Sequence, residues 1–290
     1  MDNIQWYFED LYNRLAPHIA DVLGEEKTPI ILNKVKIYEY TEDRKVFARL
    51  CNGKISYFDQ YVLRVDFEIS RSFINLVGNI WEEFAILFSY FNNDLNNPRV
   101  EYILKNIAII VKKALNEEVL YDRGSTYYAR NGGWMKNFLY KSVLTYFFCH
   151  ELGHAILLYS ENDRPEYREA IDFIKLNDDN LTDKQRSLWP NELAADYIAL
   201  KLLHKLHAEK DVDAELLYNW TLILCLLYLY PFIKYIQEKK FDGSTHPPQH
   251  RRIGFLYEKT KSQKVKSLIE QSGEANLKLV LRIIKYVSKV

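Results

Sequence analysis

Twelve residues constrain this chain more than any others: Phe147-Phe148-Cys149-His150-Glu151-Leu152-Gly153-His154-Ala155-Ile156-Leu157-Leu158. Read as a helix, His150 and His154 stand one turn apart and about 40° apart around the axis. Both imidazoles can then reach one point in space, which is what a zinc ion needs from its first two ligands. Glu151 lies about 100° round from His150 and about 60° from His154, beside that point. There its carboxylate can hold and deprotonate a water molecule. Apart from Glu151 and the two histidines, the stretch is uncharged, which suits a helix buried on most sides with one polar stripe facing a cleft. The bland alternative is an amphipathic core helix whose histidines bond to backbone or water.

A catalytic zinc ion takes three protein ligands and leaves one position open. A histidine six residues after His154 would complete one known ligand pattern, but position 160 is serine. A glutamate from a second helix is the other solution, and Trp189-Pro190-Asn191-Glu192-Leu193-Ala194-Ala195-Asp196-Tyr197-Ile198-Ala199-Leu200 provides one. Pro190 suits a helix start, and Glu192 and Asp196 are one turn apart on the same face. Ala194, Ala195 and Ala199 allow another helix to come close. Glu192 is assigned to the metal. Asp196 is assigned to the free N–H of His150, whose orientation it would hold.

A third block, Gly243-Ser244-Thr245-His246-Pro247-Pro248-Gln249-His250-Arg251-Arg252-Ile253, sets His246 in an extended, proline-bound loop just ahead of a helix carrying Arg252. Hydrogen-bonding or cationic groups near a metal are what a tetrahedral oxyanion requires.

Taken in order, the His-Glu-Leu-Gly-His stretch, the Asn191-to-Asp196 block and Ser244-Thr245-His246-Pro247-Pro248 with Arg252-Ile253 resemble the signature of the gluzincin zinc metallopeptidases of the HtpX and Oma type. The resemblance covers about residues 133–260. It implies one zinc ion per chain, hydrolysis of a peptide bond in a protein or peptide substrate, and Glu151 as general base. It also implies that His246 stabilises the transition state and that Arg252 supports the site or the substrate. The chain departs from the membrane members by lacking convincing transmembrane helices. In size and in its His-Glu-x-x-His block it is also similar to the soluble Lit-type phage-exclusion peptidases, which points to phage defence or a stress response. The competing class is a catalytically silent metal-binding sensor on a peptidase fold. Intact Glu151 argues against that, since a binding-only site has no use for a general base.

The rest of the chain frames this site. With 290 residues and 48% hydrophobic content, a sizeable core is available. The 39 basic and 39 acidic residues cancel, so no overall field draws the protein to nucleic acid. The balance is uneven: residues 251–290 carry ten Lys/Arg against three Glu, read as a solvated face of amphipathic helices. Cys51, Cys149 and Cys225 form no metal-ribbon or disulfide spacing, and no signal peptide is visible at the N-terminus. A cytoplasmic setting is expected. The apolar run at 220–233 is too short to span a membrane and is interrupted by Pro231, so a core helix is expected there rather than membrane insertion.

The expected fold class is mainly α (α+β), a helical zincin-like core with a small strand-containing N-terminal region. Residues 4–23 read as a helix stopped by Gly24, and Pro29 to about Arg64 as the strand-rich region, with Asn52-Gly53 as a hairpin signal. Helices are expected from Ser70 to Phe91 and from Val100 to about Leu115. The Asn/Asp/Pro cluster between them places a boundary near 97. This divides a mixed N-terminal region (1–97), a candidate site for regulation or a regulatory partner, from the peptidase-like region (98–290). Ser125, Thr126, Tyr127 and Tyr128, just before the histidine helix, are the candidates for an edge that holds the substrate backbone.

Overall fold

Strict alternation of apolar and polar residues in Leu63-Arg64-Val65-Asp66-Phe67-Glu68-Ile69-Ser70 makes this segment a strand whose apolar face is buried throughout, with Glu68 and Ser70 of the polar face buried at its end. It is the centre of the sheet. The computed structural model describes residues 4–24, 30–38, 48–52, 62–90, 97–116, 133–160, 163–178, 180–208, 246–260 and 263–287. Within them run helix α1 (Ile4–Leu23), strands β1 (Ile30–Tyr38), β2 (Ala48–Asn52) and β3 (Leu63–Ser70), then α2 (Arg71–Tyr90), α3 (Pro98–Leu115), α4 (Gly133–Tyr159), α5 (Pro165–Asn177), α6 (Asp183–Ala208), α7 (Gln249–Lys259) and α8 (Gln263–Val287). The architecture is mainly α, in the α+β class, as the sequence implied. No helix among the described residues is long and apolar enough to cross a membrane. The run at 220–233 lies outside them.

The strand order is β1-β3-β2, with β1 parallel and β2 antiparallel to β3. Three features differ from the sequence reading. The strand-rich region extends beyond Arg64, because β3 runs on to Ser70. The apolar segment at 30–32 and the described part of the one at 35–40, Val35 to Tyr38, belong to one strand, β1, whose register slips between Leu32 and Lys34. Asn52 is opposite Val65, so ten residues separate β2 from β3 and Asn52-Gly53 is no two-residue hairpin.

Helix ends follow local chemistry. Gly24 takes φ +88°, the left-handed conformation that glycine enters without steric cost, and stops α1 where the sequence indicated. Asn97 caps α3 by accepting from the Arg99 N–H at 3.0 Å, with Pro98 at the first helical position. Helix α6 starts earlier than expected. Pro190 lies inside it rather than at its start. The true start is a capping box: Thr182 N–H donates to Gln185 Oε1 at 2.9 Å, and Gln185 N–H donates to Thr182 Oγ1 at 3.3 Å. Two satisfied donors at the entrance override a proline that costs one carbonyl its partner.

The core joins the N-terminal elements to the histidine helix. Phe8 of α1, Phe67 of β3 and Phe148 of α4 form an aromatic triangle with ring centroids 4.8 Å (Phe8–Phe67), 5.5 Å (Phe8–Phe148) and 4.8 Å (Phe67–Phe148) apart. All three are fully buried. Phe73 of α2 meets Phe147 edge-on at 4.9 Å. Such pairs contribute about 0.5–1.5 kcal/mol each beyond their buried area. They hold α4 immediately ahead of His150.

Candidate metal centre

Helix α4 presents His150 and His154, and α6 crosses it to present Glu192 and Asp196. The crossing is close because Gly153 has no side chain: a Cβ there would lie 2.7 Å from the carbonyl oxygen of Ala195 and 2.9 Å from its Cα. Ala194, Ala195 and Ala199 are fully buried, in keeping with the small face expected of this helix. Backbone-to-backbone contact lets a short carboxylate on α6 reach two imidazoles on α4.

The Nε2 atoms of His150 and His154 are 3.2 Å apart. Glu192 Oε2 lies 3.5 Å from His150 Nε2, and Glu192 Oε1 lies 3.5 Å from His154 Nε2. Ligand atoms of all three residues fall within 4.8 Å of one another, and together they could hold a metal ion. Glu192 Oε2 is buried and makes no hydrogen bond. Leaving a buried carboxylate oxygen unpaired costs free energy, and a cation among the three groups would remove that cost. The residues fit a metal.

Electrostatics follow from burial and pairing. Burial works against a charge on His150, but its contacts with Asp196 and Glu192 outweigh that and raise its pKa to about 9. For His154, burial prevails and lowers the pKa to about 4. Burial also lowers that of His246, against the pull of Glu192. Glu192 and Asp196 are deeply buried, yet nearby cations hold both carboxyls far below the usual range: the histidines for Glu192, and Arg252 with His150 for Asp196.

Asp196 lies against the His150 ring. Its Oδ1 is 2.9 Å from His150 Nδ1, opposite the nitrogen that faces Glu192. Arg252, on α7, donates Nε to Asp196 Oδ2 at 2.6 Å and Nη2 to Asp196 Oδ1. At 3% exposure it is packed behind the site. Its side chain contacts Asp196 and Tyr146. His246, just ahead of α7, stands at the site's edge with Nε2 3.4 Å from Glu192 Oε1. Glu151 is half-buried on α4. Cys149 is fully buried and unbridged, a small core residue with its thiol pKa pushed up by burial. Ser125, Thr126, Tyr127 and Tyr128 lie outside the described residues.

Two participants escaped the sequence reading. Gly153 sets the helix crossing, and its signal was a glycine between the two candidate ligand histidines. Tyr146 donates its hydroxyl to Asp196 Oδ1 at 2.7 Å, and its signal was its position one turn before His150. The chain matches no family model, no curated protein and no solved structure.

Proposed function

We propose that this protein is a zinc-dependent endopeptidase that hydrolyses a peptide bond of a protein or peptide substrate. One observation carries the reading. Ligands about 2.0–2.1 Å from a tetrahedral zinc lie about 3.3–3.4 Å from each other. The two histidine Nε2 atoms stand 3.2 Å apart, close to that spacing, and each lies 3.5 Å from one of the two oxygens of the Glu192 carboxylate. Two imidazoles and one carboxylate are also a donor set that zinc accepts in catalytic sites, with His150 giving up its Nε2 proton as the metal binds.

His150 and His154 would offer Nε2, and Glu192 would offer its carboxylate. A zinc ion held there would supply Lewis acidity toward water and toward the scissile carbonyl. Glu151 takes a proton from the attacking water and passes it to the leaving amine, so the amine departs neutral. His246, at the edge of the site, donates a hydrogen bond to the oxyanion. Asp196 keeps the His150 ring turned toward the metal.

The test begins with zinc content of the purified wild type beside His150→Ala and Glu192→Ala. About one zinc per chain, lost in both variants, is expected. Glu151→Gln should then keep zinc and lose cleavage of an unfolded protein substrate. Hydrolysis retained by Glu151→Gln removes the general base. A wild type that takes up no zinc removes the reading altogether.

A further inference from the structure

Helix α4 carries a third polar group in line with its histidines. Tyr146 is one turn before His150, 2% exposed, and its ring centroid is 6.0 Å from that of His150. Its hydroxyl accepts from Arg252 Nη2 at 2.9 Å and donates to Asp196 Oδ1 at 2.7 Å. A guanidinium can only donate. The single phenolic hydrogen therefore has one direction left, toward Asp196. The closed triangle of Tyr146, Arg252 and Asp196 has one consistent set of donors.

We propose that Tyr146 is a positioning residue for the metal: through Asp196 it holds His150 with its hydrogen on Nδ1 and the Nε2 lone pair facing the metal site. The inference rests on the zinc reading of the site. Asp196 Oδ1 takes hydrogen bonds from Tyr146 and Arg252 as well as from His150, while Oδ2 takes the Arg252 Nε. A carboxylate held at both oxygens cannot swing away from the imidazole. Those two extra donors also draw on the electron density of Oδ1, which leaves the shared hydrogen on the imidazole. Arg252 contributes the charge and a two-point grip on Asp196, and Tyr146 fixes the angle of that grip. Without the phenolic hydroxyl, Arg252 Nη2 loses an acceptor and Oδ1 loses a donor, and both would re-seat around the ring. Outer partners of metal-ligating histidines typically carry about 10–100-fold in metal affinity.

Tyr146→Phe removes only the hydroxyl and keeps the ring packed against His150. Zinc affinity, measured by competition with a chromophoric chelator, is expected to fall about tenfold or more. The cobalt-substituted protein should show altered ligand-field bands, which a purely structural tyrosine would leave unchanged. Equal zinc affinity and an unchanged cobalt spectrum in Tyr146→Phe overturn the inference while leaving the metal site standing. A wild type that binds neither ion overturns the zinc reading and this inference with it. Arg252→Lys provides the same test if Tyr146→Phe does not fold. It keeps the charge but breaks the two-point grip on Asp196, so a comparable loss of zinc affinity is expected and an unchanged affinity overturns the proposal.

Discussion

Gly153 and Ala195 meet backbone to backbone, and no side chain fits between them: a Cβ on Gly153 would lie 2.7 Å from the Ala195 carbonyl oxygen. This contact sets how near Glu192 comes to His150 and His154. Gly153→Ala would gain about 1 kcal/mol in helix propensity. Against that, the added methyl meets backbone rather than a flexible side chain, and overpacking a filled core costs about 1–3 kcal/mol or more. The collision wins. The variant is expected to unfold at lower temperature than wild type and to lose zinc affinity, since α6 must move outward. A more stable Gly153→Ala protein with full zinc content would show that the crossing is not set here.

Glu192 Oε2, buried without a hydrogen bond and 3.5 Å from His150 Nε2, makes a sharp case for ligand linkage. Zinc at about a hundred times its dissociation constant should stabilise the wild type by about 2.7 kcal/mol, read as a rise in melting temperature. In Glu192→Gln, which keeps shape and removes charge, added zinc should produce little or no rise. An equal rise in both proteins would place the zinc elsewhere.

Acid should destabilise the protein through Glu166. This carboxylate is 1% exposed and is bonded by Arg164 at 3.0 and 3.2 Å and by Lys201 at 2.6 Å. Burial alone would raise its pKa, but the two cations outweigh burial and hold it below the ordinary value of 4.5. A depressed folded-state pKa adds stability above the unfolded value, and that stability is lost as pH falls through the folded one. Unfolding free energy of the metal-free protein should therefore fall as pH drops below about 4.5. Glu166→Gln should make that limb shallower, leaving the share of Glu192 and Asp196, while costing about 3 kcal/mol at neutral pH because Arg164 is left buried without its counter-charge. Denaturant titrations at several pH values check both.

The capping box at the start of α6 offers a separable effect. Thr182→Ala removes one of its two bonds and should cost about 1 kcal/mol in denaturant unfolding. The box lies ten residues ahead of Glu192. Zinc affinity should be unchanged. A change in affinity would mean that the α6 entrance is coupled to the metal ligands.

The sequence by itself determined whatever depends on neighbours within one or two turns. The facing of His150 and His154, the pairing of Glu192 with Asp196 along one helix face, and the stop of α1 at Gly24 are local geometry, read from spacing alone. Strand β3 alternates from Leu63 to Ser70, yet the strand-rich region read from the sequence ends at about Arg64. The place of β3 between a parallel and an antiparallel partner is not local, because strand pairing joins segments distant in the chain. Pro190 misled for a related reason, since a helix start depends on which orphan N–H groups find acceptors, and Thr182 with Gln185 supplies them upstream. Only tertiary structure decided that Gly153 would touch Ala195 and that Arg252, 56 residues beyond Asp196, would close on it together with Tyr146. Sequence spacing specifies direction along one helix. The distance and crossing between two helices depend on the packing of both.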